Sequence, residues 1–134
     1  MESREIVGVV ADVRTSTSST ARPLFYQPTI AGEDVFGFIS IRPHFDRAAE
    51  VHLIAVREEH HRTGVGRALL SAAEEWLRAR DVKFLQVKTL SPSRECAHYA
   101  RTRRFYEVMG FTPLEEFKTL WGERNPCLMM VKGL

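Results

Sequence analysis

The segment His61–Gly66 (HRTGVG) combines glycines with a basic residue at the start of a helical pattern, and this combination is suited to holding phosphate. It follows an apolar run, Val51–Val56, that is typical of a buried strand. The first N–H groups of a helix lack intrahelical partners, and the helix dipole favours an anion beside them. Gly64 and Gly66 carry no Cβ, so the backbone can come close to a ligand. The sequence therefore predicts an anion-binding loop.

Two titratable residues precede this loop on the same predicted strand. Glu50 and His52 are two positions apart, so strand alternation predicts that they share one face, with Ile54 beyond them. A half-buried glutamate has a raised pKa and can act as a base near neutral pH. A solvent-facing glutamate at the start of a strand fits the pattern equally well.

A strand–helix–strand unit positions these residues. The first strand is predicted over Ala49–Val56 and the second over Val82–Leu90, so the two form a parallel pair with a right-handed crossover. Such a pair can part to admit an extended ligand. The intervening helix has one apolar stripe, formed by Val65, Ala68, Leu69, Ala72, Ala73, Trp76 and Leu77. Because Trp76 lies on this stripe, we expect it in the core. Glu74 and Arg78, on its polar side, are spaced as an ion pair.

The remaining segments predict an α/β domain with a mixed sheet. Before the loop, we expect strands at Glu5–Val13, Leu24–Ile30 and Val35–Ile41, a polar loop at Arg14–Arg22, and turns at Ala31–Asp34 and Pro43–Asp46. After Leu90, we expect a helix from about Arg94 to Met109, ended by Gly110, and strands at Phe111–Leu120 and Cys127–Val131. The predicted core face of this helix is Ala97, the Arg101 stem, Phe105, Val108 and Met109.

Composition sets the broad class of the protein. The 134 residues fit a single domain, and 44% hydrophobic with 27% charged residues are ordinary globular values. The net charge of +2 gives no global basic field for nucleic acid. Two cysteines are too few for a disulfide framework, and no signal peptide or membrane-length apolar run is present, so we expect a cytoplasmic protein without membrane attachment.

Two segments resemble the signatures of the GNAT superfamily of N-acetyltransferases. His61-x-x-Gly64-x-Gly66 is similar to its acyl-CoA pyrophosphate loop, Gln/Arg-x-x-Gly-x-Gly/Ala, with His61 departing at the first position. Arg104–Phe111 (RFYEVMGF) resembles its second signature, Phe-Tyr-x-x-x-Gly-Phe. The resemblance extends from Leu24 to the C-terminus, so we expect one GNAT-like domain over 1–134 with an atypical segment at 1–23. It implies a mixed, mostly antiparallel sheet with a central splayed parallel strand pair flanked by helices.

The resemblance also implies acetyl-CoA as acyl donor and a set of site residues. The pyrophosphate of acetyl-CoA is expected to bind the residues of the loop, and the departure at His61 changes one side-chain contact. The loop residues are His61, Arg62, Thr63, Gly64, Val65, Gly66 and Arg67. Tyr106 matches the tyrosine that protonates the leaving thiolate, although a plain core role is the alternative. An oxyanion donor is expected among the backbone N–H groups of Ile54, Ala55 and Val56.

The resemblance leaves alternatives open for the base and for the pantetheine contacts. A carboxylate on the strand before the loop recurs in the family, which favours Glu50 as base, with His52 or water as alternatives. Many members carry an asparagine seven residues before the tyrosine and an alanine four before it. These positions are Tyr99 and Thr102 here, whose hydroxyls offer substitute contacts.

Other chemistry is weakly supported. His60, His61 and His98 stand in polar surroundings without a third ligand, so we expect no metal site. Cys96 and Cys127 lack a nearby paired histidine and are better interpreted as small buried hydrophobic residues than as nucleophiles.

We therefore expect an acetyl-CoA-dependent N-acetyltransferase that works by direct transfer to a small-molecule or peptide amine in a ternary complex. A catalytically silent acyl-CoA sensor or protein-partner module is the alternative. A nucleic-acid-binding module ranks third, because Arg101, Arg103 and Arg104 also suit CoA phosphate. Only Arg14–Pro23 separates the predicted strand Glu5–Val13 from Leu24, and the family usually places one or two helices in this interval. The uncovered faces predict a homodimer or another protein partner, although a longer natural start would also explain the gap.

Overall fold

A computed structural model describes residues 5–6, 25–31 and 34–134 of the chain, with side chains from residue 37 onward. The described chain falls into two compact units, one ending at Lys83 and the other beginning at Phe84. Beyond Glu5–Ile6, the predicted first strand lies outside the described residues, as does the predicted loop Arg14–Arg22. The prediction of a single domain stays a prediction.

The first unit contains a four-stranded antiparallel ladder in the order β1-β2-β3-β4. Its strands are β1 (Glu5–Ile6), β2 (Phe25–Ala31), β3 (Asp34–Phe45) and β4 (Ala48–Val56). β3 is longer than predicted, because Pro43, His44 and Phe45 continue the strand and the chain turns at Asp46–Arg47 instead. The predicted turn at Pro43–Asp46 is therefore wrong for its first three residues.

The helix of this unit, α1 (Val65–Arg78), packs against β2, β3 and β4. Its buried residues are Val65, Leu69, Leu70, Ala73, Glu74 and Leu77. The predicted stripe is thus displaced around the helix: Ala68 is exposed, Ala72 and Trp76 are half-buried, and Leu70 and Glu74 are buried instead. Burial of Glu74 is tolerated because its carboxylate accepts a hydrogen bond from Arg78 at 3.1 Å, the ion pair that the spacing predicts.

The second unit consists of β5 (Phe84–Leu90), α2 (Ala97–Val108), β6 (Thr112–Phe117) and β7 (Cys127–Gly133). β7 lies between β5 and β6 and pairs antiparallel with both, while α2 packs against β5. Its core includes Leu85, Val87, Cys127 and Met130.

The start and the buried face of α2 both differ from the prediction. The helix begins at Ala97 rather than near Arg94, whose guanidinium donates to the backbone oxygen of Arg124 at 3.3 Å. Its buried side is marked by Tyr106 and the adjoining Met109. Three positions predicted for its core, Ala97, Arg101 and Val108, are exposed, and Phe105 is half-buried. The predicted stop at Gly110 is confirmed by a φ of 98°.

Candidate functional site

The loop between β4 and α1 is held by hydrogen bonds from its side chains to nearby backbone oxygens. A 3₁₀ turn, Glu58–His60, follows β4 and was not predicted from the sequence. The ring Nε2 of His61 lies 2.8 Å from the backbone oxygen of Val56, and the Thr63 hydroxyl donates to the backbone oxygen of His60 at 2.5 Å. Since both side chains bond the protein's own backbone, they hold the loop's shape.

Two residues of this loop have left-handed backbone conformations. Arg62 has a φ of 61°, and Gly64, the residue that precedes α1, has a φ of 89°. Such conformations suit glycine and are uncommon for arginine. A Cβ built on Gly64 would meet no atom within 4 Å, so this glycine is required by the backbone conformation and borders open space.

The N-terminus of α1 has the features of an anion site. No side chain caps it, no acidic residue lies in its first turn, and its first intrahelical bond runs from the Ala68 N–H to the Gly64 oxygen at 3.0 Å. The amides of Val65, Gly66 and Arg67 precede that bond, and first-turn amides have no intrahelical acceptor. Together with the helix dipole and the exposed Arg62 and Arg67, they suit a phosphate or diphosphate.

On β4, the buried carboxylate of Glu50 is paired with a histidine that the sequence did not single out. Glu50 is 7% exposed, and its Oε1 lies 2.5 Å from Nε2 of His44 on β3. His44 was not predicted from the sequence, because Pro43 and Asp46 favour a turn at that position. Alternation of charged and apolar residues through Arg42 and His44 would have been the signal for a longer strand.

His52 occupies a different environment from Glu50, its predicted neighbour on one face. β3 and β4 change register between the pairs Ser40–Leu53 and Ile41–Val51, which leaves His52 as an extra residue on β4. Its Nε2 lies 3.2 Å from a guanidinium nitrogen of Arg42 and must accept, because a guanidinium only donates. Burial, and then the charge of Arg42, lower the pKa of His52, while Glu50 raises it. The Nε2 atom of His52 is therefore occupied by Arg42, and the choice of Glu50 over His52 as base stays a prediction.

The three candidates for an oxyanion donor end β4. Ile54, Ala55 and Val56 are half-buried and pair with Ile39, Phe38 and Gly37. A Cβ on Gly37 would lie 2.5 Å from the Ala55 oxygen, so the absence of a side chain there permits the close approach of β3. The choice among these three N–H groups stays a prediction.

In the second unit, Tyr106 is a buried aromatic residue on α2. It is 5% exposed, and its ring makes edge-to-face contacts with Phe105 and Phe111, each at 5.5 Å between centroids. Burial raises the pKa of Tyr106 to about 12. The phenol therefore keeps its proton at neutral pH, which is the form that can donate to a leaving thiolate.

Tyr99 and Thr102 lie nearer the start of α2 and differ in availability. Tyr99 is 40% exposed and borders a cavity of about 450 Å³ with Leu90, Cys96 and Trp121. The Thr102 hydroxyl donates to the backbone oxygen of His98 at 3.3 Å, within its own helix. Tyr99 is thus the better placed of the two for an added ligand contact.

A second polar cluster of this unit was not predicted. Glu116 on β6 accepts hydrogen bonds from the Ser91 hydroxyl, at 2.5 Å, and from the Ser93 hydroxyl. These bonds lower the pKa of Glu116. The cluster borders a cavity of about 690 Å³ that Arg94 and Arg124 also line. Serines far apart in sequence from their glutamate give no local signal for such a cluster.

The cysteines and histidines give no further site among the described residues. Cys127 is buried as expected, whereas Cys96 is only half-buried. No group of three His, Cys, Asp or Glu side chains that could hold a metal occurs in the described ranges. Of the helices in this part of the chain, none is long and apolar enough to cross a membrane.

The family model of the acetyltransferase (GNAT) domain matches residues 26–113, about two thirds of the chain. No curated protein matches the sequence. Many solved structures match the fold, among them three that are less than 25% identical to this chain in sequence. The match confirms the family that the two sequence signatures predict.

A GNAT-family protein from Desulfovibrio desulfuricans has a TM-score of 0.74 and 23% identity, covering 81% of this chain and 68% of that one. A GNAT-family acetyltransferase from Elizabethkingia anophelis with acetyl-CoA bound has a TM-score of 0.70 and 16% identity, covering 82% and 76%. The ribosomal-protein-S18-alanine N-acetyltransferase from Escherichia coli has a TM-score of 0.64 and 24% identity, covering 81% and 67%. The predicted GNAT-like α/β fold is confirmed by these similarities.

Proposed function

Because the chain belongs to the GNAT family of acetyltransferases, we propose that it moves an acetyl group from acetyl-CoA to a primary amine by direct transfer in a ternary complex. The observation that carries the proposal is the uncapped N-terminus of α1 behind Gly64. A diphosphate is the part of CoA that such a set of free amides and nearby arginines would recognise. Solved structures with the same fold contain acetyl-CoA or CoA, which supports this donor.

The proposed roles follow the chemistry of the transfer. Glu50 takes a proton from the amine, whose nitrogen lone pair then attacks the thioester carbonyl and displaces the thiolate. Tyr106 gives its phenolic proton to that thiolate, and a backbone N–H among Ile54, Ala55 and Val56 stabilises the charge on the carbonyl oxygen. His61 fixes the loop through Val56 rather than serving as a permanent cation for the donor.

Further contacts to the donor belong to the same proposal. The backbone amides of the loop from Arg62 to Arg67 hold the diphosphate, and the side chains of Arg62 and Arg67 add charge-assisted bonds. Tyr99, and less readily Thr102, contact the pantetheine arm. The acceptor is a small molecule or a peptide with a free amine, and relatives with the same fold include an aminoglycoside 6'-N-acetyltransferase and the ribosomal-protein acetyltransferase.

An acetyl-CoA turnover assay with a panel of amines tests the proposal. The panel contains aminoglycosides, polyamines, amino acids and peptides with free N-termini, and release of the CoA thiol is followed by a thiol reagent. Turnover with one class supports the proposal and identifies the acceptor. Binding of acetyl-CoA by calorimetry, without turnover on any amine, favours the silent acyl-CoA-binding module instead.

The oligomeric state and the cellular location also belong to this proposal. We propose a homodimer that acts in the cytoplasm without nucleic acid or membrane. Its motivation is the short stretch between the first predicted strand and the β2–β3 hairpin.

A further inference from the structure

Four polar side chains meet on β3 and β4: Arg42, His44, Glu50 and His52, here termed the carboxylate cluster. We propose that His44 is a positioning residue whose ring N–H holds Glu50 in the ionised form and in one orientation, so that Glu50 is a base at neutral pH. This inference rests on the proposed function, in which Glu50 receives the proton of the amine.

The pairing combines a buried acid with a partly exposed partner. The side chain of Glu50 is 9% exposed and that of His44 is 34% exposed, with 2.5 Å between Oε1 and Nε2. Burial disfavours the charged form of a carboxylate, and a hydrogen bond donated to that form favours it. A proton on Nε2 of His44 therefore opposes the effect of burial on Glu50. Because the bond uses Oε1, it also fixes the direction in which the other oxygen is presented.

The backbone places His44 for this contact through an irregular register. Arg42 lies directly opposite Glu50, and Pro43 lies opposite Ala49, but Phe45 pairs with Ala48. His44 is thus an extra residue on β3. Extra residues of this kind re-aim side chains, and here the imidazole reaches the carboxylate diagonally across the strand pair.

The neighbouring charged groups have hydrogen-bond partners of their own, and His44 is the histidine that contacts the carboxylate of Glu50. Arg42 directs a guanidinium N–H to His52, whose pKa is lowered mainly by burial and then by Arg42. On α1, which packs against both strands, the buried carboxylate of Glu74 is bonded to Arg78. His52 is therefore an acceptor for Arg42, whereas His44 bonds to the carboxylate itself.

The role of His44 is distinguished from a purely structural one by a pH profile. In the proposed step the amine N–H bond breaks and an O–H bond forms on Glu50, so kcat/KM falls as the pH drops through the pKa of Glu50. His44→Phe keeps a ring of similar size but removes the N–H donor. We expect its acidic limb to move up by about one to two pH units, the range of a charge-assisted hydrogen bond, with the high-pH plateau largely kept. His44→Gln restores an N–H donor and should return the limb towards the wild-type position.

Three controls complete the kinetic experiment. Glu50→Gln should lose the limb, and Tm values for all variants show that they are folded. His98→Phe, which changes an exposed histidine on α2, should leave the limb in place. A His44→Phe limb that coincides with the wild-type limb, or a plateau lost without a shift, overturns the proposal.

A titration without substrate separates this proposal from the proposed function. The ¹³C resonance of the Glu50 carboxyl, followed by NMR in the free protein, should titrate about one to two pH units higher in His44→Phe than in wild type or His44→Gln. If that shift occurs and no amine is acetylated, the pairing stands and the transferase assignment fails. If the midpoint is unchanged in His44→Phe, the pairing does not control Glu50, whatever the activity.

Discussion

Replacement of Gly64 by valine tests the anion-binding loop most directly. Gly64 has a φ of 89° and precedes the uncapped first turn of α1. Valine adds a β-branched side chain where a Cβ would meet no protein atom within 4 Å, which is the space proposed for the diphosphate. Two effects are therefore expected: a cost in stability from the backbone, and a loss of acetyl-CoA binding from the new side chain.

The stability cost is estimated from the backbone conformation. A non-glycine residue in a left-handed conformation costs about 1–3 kcal/mol, and the open space adds no clash at Cβ. For a protein of 134 residues the entropy of unfolding is about 0.3 kcal/mol/K, so Tm should fall by about 3–10 °C. Acetyl-CoA at about 100 times its Kd should stabilise the wild type by about 2.7 kcal/mol, or by about 9 °C.

Gly122 provides a matched control in the loop between β6 and β7. It has the same φ of 89°, and a Cβ built on it also meets no atom within 4 Å. Gly122→Val should therefore pay a similar stability cost but keep the full thermal shift with acetyl-CoA. Differential scanning fluorimetry of wild type, Gly64→Val and Gly122→Val, each with and without acetyl-CoA, measures both effects.

The proposed diphosphate site beside Gly64 is refuted if folded Gly64→Val keeps the same ligand-induced shift in Tm as Gly122→Val. That result would mean that the diphosphate does not approach Gly64. A Gly64→Val protein that is as stable as the wild type would instead show that the left-handed conformation is not required at this position.

Four further predictions concern catalysis, helix stability and assembly. Tyr106→Phe should lower kcat by roughly ten- to ten-thousand-fold with little change in acetyl-CoA Kd, because it removes the proton donor, and an unchanged kcat in single-turnover experiments would assign Tyr106 to the core. Since burial raises the pKa of Tyr106 to about 12, its loss of a proton should not limit kcat/KM below about pH 11. Lys132→Met should lower Tm by about 1–3 °C, because Nζ donates at 2.6 Å to the oxygen of Met109 at the end of α2; an unchanged Tm would contradict this. Light scattering at micromolar concentration should give the mass of a dimer, and an active monomer would count against it.

The order of elements was predictable because periodicity and turn residues are local signals. The strand Ala49–Val56, the helix from Val65 and the stop at Gly110 agree with β4, α1 and α2 to within a residue or two. The loop before α1 was predictable for the same reason, since glycines before an apolar helical pattern indicate a backbone that can come close to a ligand. Glu50 and Tyr106 were chosen by position in a pattern, and the structure adds their burial.

The buried faces of the helices and the hydrogen-bond partners of the polar side chains were less predictable, because they depend on residues distant in sequence. The buried side of α1 includes Leu70 and Glu74 rather than Ala68, since packing on three strands decides which residues of a broad stripe face inward. Glu74 lies inside because Arg78 satisfies its charge. The cluster of Ser91, Ser93 and Glu116 depends on contacts across more than twenty positions, which local periodicity does not report.

The irregular register around Glu50 explains why uniform alternation fails at the site where it matters most. β4 has one extra residue at His52 and β3 has one at His44, so the two shifts cancel: Ser40 pairs with Leu53 before them and Phe45 with Ala48 after them in a common register. A hairpin whose ends are in register gives no sign in its sequence that the middle has slid by one residue. Because a one-residue slip changes which residues face each other, it decides the partners of Glu50. The shifted part of β3 is short, from Ile41 to Pro43, and both extra residues, His44 and His52, are histidines beside the proposed base. The register shift therefore brings the side chains of the carboxylate cluster together, and for the same reason the cluster could not be predicted from strand alternation.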